Sequence, residues 1–521
     1  MAFNYNDGLD DQLIPDGSAS FVGGVDEQAD PTELKPEQLA RCINVQITRD
    51  GVQTRKGSTD IGNGAIAAGR VQGMGELDTS STEKILAAVN GAMYQHSSGT
   101  WSSAAGFTPT SATAQVEIVQ GNNKLYVCDG ASNMRSWDGT TFTDLGTSSP
   151  NPPIAKFITW FTHRLFAVKD NDDTVYVSAI LNADAGGWDW TNRSFRVGGG
   201  EGDAITCISG WLGFNLLVFK NNSFYVVNAD PSANVVDWPI KPVSNRVGCV
   251  AHRSGKMVGN DFFFLARDGV RSVRQTETNL EALVSEPLSW PIQPLIDRIN
   301  WSAAHLSNAE YIDNKYILWV PLDSATTPDT ALVYDTRLKS WLGYWTGWKS
   351  MVQMVSKLNN EIRLLYGTSD GKVYRWDYNA DNDLEGTFDD ASTAIATTIV
   401  TRGHIHRDLL APKAGWCVEL GFNKSLANVS FYGIIDQDEV DQPIIDTESG
   451  SNTFSTQGET NALPLSLPFD LAVITIHKKT LDLASLGEYR ELQFKLTSSS
   501  SKLCLKYLVA SAYLNPMKYE Q

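Results

Sequence analysis

The sequence repeats one short pattern, in which an apolar run reaches an Asp-Gly or Asn-Gly pair and a second β-prone run follows. The clearest copy is Leu364–Trp376, where Asp370-Gly371 separates the two runs. Glycine accepts the positive φ of a tight turn, so each copy predicts an antiparallel hairpin. Further copies lie at Leu86–Tyr94, Leu125–Trp137 and Phe263–Val273. One supersecondary unit is therefore repeated, which predicts a repeat fold built from hairpins.

The spacing of these copies predicts a β-propeller. Met93 and Trp101 are paralleled by Met134 and Phe142 at an offset of about 41 residues, close to the ~40–50 residues of one four-stranded blade. We expect about seven blades, with six or eight also compatible with the pattern, near 70–107, 111–146, 154–200, 203–245, 248–285, 305–347 and 350–378. Aromatic rings late in these segments are expected to pack between neighbouring sheets, namely Trp101, Phe142, Trp188 or Trp190, Trp238, Trp341 or Trp345, and Trp376.

The rest of the chain divides around the propeller, and the predicted class is all-β. Residues 1–60 read as an entry segment with strands and a short helix over Pro36–Cys42, because proline suits a first helical turn. Residues 61–384 form the propeller. Residues 385–521 contain wider-spaced alternating strands, which predict a C-terminal β-sandwich. Within the propeller, Pro287–Asn300 has apolar residues at helical spacing, and its prolines indicate that only its second half is regular.

The charge and cysteine content limit the function. Lys and Arg number 42 and Asp and Glu number 60, which gives a net charge of −18. Such a chain lacks the basic footprint of a sequence-specific DNA-binding protein. The six cysteines are scattered with no CxxC pair, so neither a disulfide framework nor a zinc site is expected. Neither a signal peptide nor a membrane-spanning helix is expected.

Two motifs resemble known sites but depart from them. Thr368-Ser369-Asp370-Gly371 resembles the Asp-box of sialidase propellers, yet Asp and Gly are adjacent here, so a hairpin turn is the expected structure. Asp377, Asn379, Asp381 and Asp383 alternate as in a calcium loop, but Asn382 replaces its glycine and Phe388 its final glutamate. A solvated acidic linker is favoured over a calcium site.

The remaining candidates for chemistry are isolated. His404 and His406 could face one way on a strand as a metal pair, but no third ligand can be named, so surface or interface histidines are favoured. The glycine-rich stretch Gly198–Gly202 lacks the lysine of a phosphate loop and is expected to link two blades. The sequence predicts no catalytic, cofactor-binding or metal-binding residue and no enzyme. Ser209-Gly210-Trp211 and Ser254-Gly255 lack the strand-to-helix turn that a nucleophilic serine needs. The other histidines are spread one per region, so they form no Ser/His/Asp set; they are His96, His163, His252, His305 and His477.

Several stretches over residues 20–380 form an ordered set. The opening consists of Gly23-Gly24, Leu39, Asn44-Val45 and Arg55-Lys56-Gly57. Blade-like stretches follow at Leu216–Lys220, Phe224–Val227, Gly248–Val250, Asp261–Leu265, Asp268–Val270, Val284-Ser285 with Ile296, Val333–Asp335 and Lys339–Trp341. Taken in this order, these stretches resemble the tail nozzle or tail hub proteins of short-tailed bacteriophages. The C-terminal region matches no motif of that family.

This resemblance implies a structural virion protein, assembled in the host cytoplasm. Such proteins form a homohexameric propeller tube below the portal and adaptor rings, extend the channel for DNA ejection, and anchor fibres, tailspikes or needles. The double-stranded DNA would pass without specific binding, and an acidic channel wall would repel its phosphates. No stable membrane insertion is implied.

A propeller lectin or glycan hydrolase is the alternative interpretation. The 15 tryptophans support it, because sugar rings stack on aromatic side chains. However, lectin propellers usually repeat one polar set of residues in each blade, and these blades differ in their polar residues.

Overall fold

The computed structural model covers the 521-residue chain, and we describe residues 13–514 with some gaps. The residues left out within that range are 49, 63, 81, 98, 148, 201, 275–285, 358–360, 379–387, 391, 424, 439, 448, 457–475 and 500–501. The C-terminal strand predicted over Ala472–Ile476 lies almost wholly outside the described residues.

The described part of the first sixty residues forms six strands, and all but β4 pair with distant parts of the chain. These are β1 Leu13–Ser18, β2 Gly24–Val25, β3 Gln38–Ile43, β4 Val45–Thr48, β5 Gly51–Thr54 and β6 Ser58–Asp60. The short helix predicted over Pro36–Cys42 is wrong, because Gln38–Ile43 is extended and pairs with Thr397–Thr401. Leu39 and Cys42 are both fully buried in this strand. Pairing with a strand some 360 residues away therefore overrides the local helix signal of Pro36.

Seven sheets follow one another around a closed ring, and six of them are four-stranded blades. We number the sheets by their position around the ring. Blade 1 contains β7 Val71–Asp78, β8 Glu83–Val89, β9 Ala92–Ser97 and β10 Thr100–Ser103, and blade 2 contains β11 Glu117–Gly121, β12 Lys124–Cys128, β13 Arg135–Trp137 and β14 Phe142–Asp144. Blade 3 contains β15 Phe157–Phe161, β16 Arg164–Val168, β17 Thr174–Val177 and β18 Ser194–Arg196, and blade 4 contains β19 Ile205–Trp211, β20 Asn215–Lys220, β21 Phe224–Asn228 and β22 Ile240–Ser244. Position 5 is three-stranded in the described residues, with β23 Lys256–Val258, β24 Asp261–Ala266 and β25 Gly269–Ser272. Positions 6 and 7 comprise β26 Asn308–Ile312, β27 Lys315–Val320, β28 Thr330–Asp335, β29 Ser340–Thr346, β30 Ser350–Ser356, β31 Arg363–Thr368 and β32 Val373–Trp376.

The ring is closed by a strand from before the first blade. β6 pairs antiparallel with β32 and supplies the fourth strand of blade 7. The first strands of neighbouring sheets contact one another around the axis, and β30 of blade 7 contacts β7 of blade 1. The predicted β-propeller is therefore confirmed, with six complete blades and one three-stranded sheet.

The repeated hairpins lie where the sequence predicts them. Each joins the second and third strands of a sheet, as β8–β9, β12–β13, β24–β25 and β31–β32. Their turns contain residues with positive φ, including Asn90 at 48°, Gly91 at 77° and Gly371 at 82°. Because a tight turn of this kind requires positive φ, the Asn-Gly and Asp-Gly pairs fix these hairpins locally.

The predicted helix between positions 5 and 6 is regular only in its second half. A 3₁₀ turn at Trp290–Ile292 leads into helix α1, Gln293–Asp297. Leu295 and Ile296 are buried against apolar residues of sheets 5 and 6. The helix thus fills space between these two sheets. The other 3₁₀ helices are Leu145–Thr147, Val235–Asp237, His252–Ser254, Ala304–Leu306 and Ala484–Leu486.

The C-terminal region begins with β33 Asp389–Asp390 and β34 Thr393–Ala394, which extend the sheet of blade 7. Its other strands extend two larger sheets and are β35 Thr397–Thr401, β36 Lys413–Asn423, β37 Asn428–Ile435, β38 Gln442–Pro443, β39 Thr453–Ser455, β40 Ile476–Asp482, β41 Glu488–Tyr489, β42 Leu492–Ser498 and β43 Cys504–Leu514. One sheet contains β36, β40, β41 and β43 together with β1, β4 and β5. The other continues from blade 6 through β2, β3, β35, β42 and β37.

These two sheets share one apolar core, as the predicted β-sandwich requires. Leu420 and Leu508 from the first sheet lie in the same buried cluster as Phe431 and Phe494 from the second. The cluster also includes Trp345 of blade 6. The C-terminal region and the propeller are therefore joined by a continuous core, to which the entry segment contributes strands on both sides.

Among the described residues, no helix is long and apolar enough to cross a membrane.

Candidate functional site

The centre of the propeller holds a cavity of about 570 Å³ lined by the first strand of every sheet. Its walls carry Glu76, Glu117, Lys256 and Glu310. This volume is typical of a small-molecule pocket.

Arg253 holds four positions of the ring together at this axis. The residue precedes β23, yet its Nη2 donates to the carbonyls of Gln72 at 2.9 Å and Val116 at 2.8 Å. Its Nη1 donates to the carbonyl of Met351 at 3.3 Å, and its Nε donates to the Glu117 carboxylate at 2.8 Å. One side chain from position 5 therefore binds blades 1, 2 and 7 across the axis.

The charges around Arg253 are largely compensated. Burial acts to raise the pKa of Glu117, but the nearby charge of Arg253 and its hydrogen bond outweigh it, so the pKa is lowered. Lys256 Nζ lies 2.9 Å from the carboxylate of Glu310. Because each of these carboxylates already faces a cation, the cavity is built as a network of ion pairs between sheets.

His252 is buried beside this network and is held neutral. Its ring lies 4.5 Å from that of Phe157, measured between centroids. Burial lowers the pKa of His252 to about 4. Its Nδ1 has no hydrogen-bond partner in the described residues. Among the described residues, no hydrogen bond joins this ring or the Glu117 carboxylate to a serine or cysteine side chain.

A second buried arginine lies at the junction between the propeller and the C-terminal region. Arg55 is paired with the carboxylate of Asp390 through both terminal nitrogens. Its Nε donates to Asn44 Oδ1 at 3.1 Å, and its Nη2 donates to the Thr346 carbonyl at 2.9 Å. The guanidinium also lies 4.6 Å from the ring centroid of Trp348. Arg55 thus connects the entry segment with blade 6 and β33.

Fully buried aromatic rings surround this ion pair. Trp348 packs against Trp319, Trp345, Tyr366 and Trp376, with ring centroids 5.1–5.9 Å apart. The indole of Trp345 donates to the Val45 carbonyl at 2.7 Å. The rings therefore bury a large apolar area and also anchor β4 by a hydrogen bond.

The His404 and His406 side chains do not lie on the surface, so the surface half of the prediction of surface or interface histidines is wrong. Both are fully buried against β1, because the N-terminal strand covers them. Asp16 of β1 is paired with Arg402, lies 3.7 Å from His404 Nδ1, and accepts a hydrogen bond from the backbone N–H of His406 at 3.2 Å. Burial acts to raise the pKa of Asp16, but His404 and Arg402 outweigh it and lower the pKa. The cluster fastens the N-terminal strand.

The other motifs lie in turns, strands and connections. Thr368–Gly371 forms the β31–β32 turn and Gly198–Gly202 lies between blades 3 and 4, both as expected. Ser209 is part of β19, and Ser254 donates to the Ala251 carbonyl. The Asp377–Asp383 run falls outside the described residues except for Asp377, which pairs with Arg375 at 2.8 Å. Over the described chain, no group of three His, Cys, Asp or Glu residues could hold a metal ion.

The sequence does not predict the pairing of Arg253 with Glu117 at the propeller axis, and it does not predict the position of Arg55 at the junction. Arg253 and Glu117 are 136 residues apart and meet only through ring closure, so no local pattern marks them. Arg55 belongs to the stretch that resembles the tail nozzle family, but its carboxylate partner lies 335 residues later in the chain.

Comparison with known proteins identifies the fold of one part. The profile of the DUF6242 beta propeller domain matches residues 79–196, which span blades 1 to 3. Among solved structures, YCF48 from Cyanidioschyzon merolae is 11% identical and covers 61% of this chain and 98% of its own, with a TM-score of 0.38. The WD40 beta propeller domain of Doa1 is 10% identical and covers 61% and 95%, with a TM-score of 0.40. No curated protein matches the chain.

Proposed function

We propose that this chain is a structural subunit of the tail of a short-tailed bacteriophage, where copies form the nozzle or hub. The observation that carries the proposal is that the propeller axis is bridged by Arg253 while the propeller is joined to the C-terminal region by a continuous core. In the proposed assembly, each copy of such a protein forms part of the wall of the tail tube. Any channel would run between copies and not through a propeller.

The opening residues of the resemblance to the nozzle family support this proposal, because they lie at the junction. Gly24 has φ 71°, and a Cβ there would lie 2.5 Å from the Trp341 carbonyl oxygen. Asn44, also at positive φ, accepts the Arg55 Nε hydrogen bond. This opening part of the resemblance thus falls on residues that fix how the propeller joins its neighbouring sheets, and most of the later stretches fall on strands of the blades.

The partners in this proposal are other copies of the chain, the adaptor and portal complex above, and tail fibres, tailspikes or needles below. Double-stranded DNA passes without specific binding. The net charge of −18 per copy supports low adhesion to phosphates. The protein then resides in the virion, is assembled in the host cytoplasm, needs no cofactor and performs no enzymatic step.

Assembly with an adaptor ring tests this function. Like charges on adjoining copies repel over about 10 Å at 0.1 M salt, so the isolated chain is expected to be monomeric or weakly associated. Analytical ultracentrifugation with and without the adaptor complex, followed by cryo-EM class averages, is expected to show a ring only with the adaptor. A chain that never joins a ring would refute the nozzle function, and a stable ring alone at low salt would refute templating.

A glycan-binding function is the second candidate, and Trp190 favours it. Its ring is 44% exposed beside a groove that also contains Asn151, Asp189 and Arg193. Lys169 Nζ covers one face at 4.2 Å from the ring centroid. A glycan array probed with wild type and Trp190→Ala decides between the two functions, because the nozzle proposal expects no Trp190-dependent signal.

A further inference from the structure

Four basic side chains meet at the end of the propeller axis where the first strands of the sheets begin. Arg253 lies at this end, because it donates hydrogen bonds to carbonyls at or next to the starts of β7, β11 and β30. Arg70, Lys156 and His305 lie just before the starts of β7, β15 and β26. These four residues define what we call the axial mouth, to which blades 1, 3 and 6 and position 5 each contribute one side chain.

Ring contacts bring the lysine of the axial mouth close to position 5. Lys156 Nζ lies 5.5 Å from the centroid of the Phe157 ring, and that ring lies 4.5 Å from the ring of His252, the residue before Arg253. The strand β26 of blade 6 also contacts the turn at His252–Ser254. Blades 3 and 6 therefore both approach Arg253 at this end of the axis.

The charges of the axial mouth act on one another. Burial, and then the charge of Arg253, lower the pKa of Arg70. Burial also lowers the pKa of His305, and the charges of Lys156 and Arg70 add to this effect against a backbone hydrogen bond with Ser302. Like charges from different blades thus lie close enough to repel one another, and a bound anion would relieve that repulsion.

Arg70 is the permanent cation of the axial mouth that has no partner among the described residues. Its side chain makes no hydrogen bond or ion pair with them, and its Nε is buried. By contrast, Arg253 Nε donates to the Glu117 carboxylate at 2.8 Å, and Lys156 Nζ lies 2.6 Å from Asp170 Oδ1. Because a buried donor without an acceptor is unfavourable, an acceptor from outside the chain would stabilise Arg70.

Two carboxylates near the entry to blade 3 are already engaged. The turn after β12 reaches this entry, and its Asp129 carboxylate accepts hydrogen bonds from the hydroxyls of Thr110 at 2.8 Å and Ser132 at 2.6 Å. Asp170 is paired with the lysine of the axial mouth, and both side chains are largely exposed, so water screens that pair. Neither carboxylate forms an ion pair with Arg70.

We propose that Arg70, together with Lys156 and His305, binds a small oxyanion, a carboxylate or a phosphate, at the axial mouth. A guanidinium presents parallel N–H donors that match two oxygens of either group, and the ammonium and imidazole add donors from two other blades. His305 is exposed and Arg70 is half-buried, so the site is open to solvent. Four clustered groups on a chain of net charge −18 do not form the extended basic footprint that a nucleic acid needs.

A bound oxyanion would add a second connection across the ring. Arg253 already joins position 5 to blades 1, 2 and 7, and the anion would join blades 1, 3 and 6. A ligand that binds the folded chain alone stabilises it by mass action, so the melting temperature should rise with the anion concentration. This site goes beyond the proposed tail function and does not depend on it.

Isothermal titration calorimetry of the full-length chain with inorganic phosphate at low ionic strength tests the site. One phosphate is expected to bind per chain, and Arg70→Gln is expected to weaken binding about tenfold or more, because a charge-assisted hydrogen bond is lost. Since Arg70 makes no bond with the described residues, this variant is expected to fold. Arg246→Gln, at an exposed arginine on blade 4, is the matched control. The absence of saturable binding, or equal affinity in all three proteins, would overturn the proposal.

Further measurements make the test specific. Displacement of phosphate by acetate would extend the ligand class to carboxylates, whereas equal displacement by chloride would overturn the proposal in favour of general attraction of anions. Phosphate salts also stabilise proteins without binding to them, so melting temperatures are compared in phosphate and chloride at matched ionic strength. A phosphate-dependent rise that is the same in wild type and Arg70→Gln would overturn the site. Unchanged affinity in both Lys156→Gln and His305→Gln would overturn its assembly from three blades.

Discussion

Two buried arginines hold this protein together, and their surroundings differ. Arg55 at the junction is 1% exposed and lies among indole rings, with one carboxylate, Asp390, as its ionic partner. Arg253 at the propeller axis lies beside a cavity and binds three backbone carbonyls as well as Glu117. The junction is therefore held by dry packing around one ion pair, and the axis by hydrogen bonds that water can partly replace.

This difference means that a buried arginine stabilises the two regions in different ways. At the junction the rings exclude water, so loss of either packing or charge leaves groups buried without compensation. At the axis a lost hydrogen bond can be replaced by a water molecule in the cavity. We expect the junction to be the more sensitive of the two regions.

Removing a ring from the junction should have the largest effect. Trp376→Ala deletes a fully buried indole that packs on Trp345 and Trp348, and we expect the free energy of unfolding to fall by about 3–5 kcal/mol. Urea denaturation followed by fluorescence measures it. Trp190→Ala, which removes a half-exposed indole, is the matched control, and equal losses in the two variants would contradict the comparison.

The axial arginine should matter less. Arg253→Met keeps most of the side-chain volume but removes all four hydrogen bonds, and we expect a loss of about 1.5–3 kcal/mol because charged hydrogen bonds are being broken and Glu117 loses its partner. Adding Glu117→Gln should recover part of this loss. If Arg253→Met lowered the free energy of unfolding more than Trp376→Ala does, the axis would be the more sensitive region and the comparison would be wrong.

Acid should weaken both the axis and the contact of the N-terminal strand. Burial lowers the pKa of His252, and burial followed by the charge of His404 lowers that of His406, in each case to about 4. The unfolded chain takes up these protons near pH 6.5, so stability is lost as pH falls from about 6.5 to about 4, by about 1–3 kcal/mol per histidine. The groups facing His406 are Asp16, His404, Lys413 and Tyr489.

Urea midpoints measured between pH 7 and pH 4 check this dependence. His252→Gln and His406→Gln should each flatten the profile over that window. A wild-type midpoint that stays constant from pH 7 to pH 4.5 would show that neither histidine is held neutral in the folded state.

Removing an exposed ion pair should change the free energy of unfolding least. Arg298 and Asp323 are 2.9 Å apart, but both side chains are largely in water. Arg298→Gln should change stability by about 0.5 kcal/mol or less. A loss similar to that of Arg253→Met would mean that solvent exposure does not separate these arginines.

The sequence predicts this fold well where the signal is local. Asn90-Gly91 and Asp370-Gly371 each impose a turn within a few residues, so hairpins and blade limits follow directly from them. The Pro36–Cys42 helix failed because the strand is set by a partner about 360 residues away. The burial of His404 could not be foreseen either, since it depends on coverage by the distant strand β1.

The candidate sites were less predictable than the fold, because each is assembled from distant positions. Arg253 reaches residues 98 to 181 positions away. Arg55 and Asp390 are 335 positions apart and likewise meet only in the folded chain.

The pairing of the first sixty residues with later strands has a consequence for synthesis on the ribosome. β1 pairs with β43, and β6 pairs with β32, so neither has its partner when it leaves the ribosome. At about 5–20 residues per second, β1 waits roughly 25–100 s for β43 to be translated. During that time its edge is open to other chains, and protection of the nascent N-terminus decides how much protein reaches the native state.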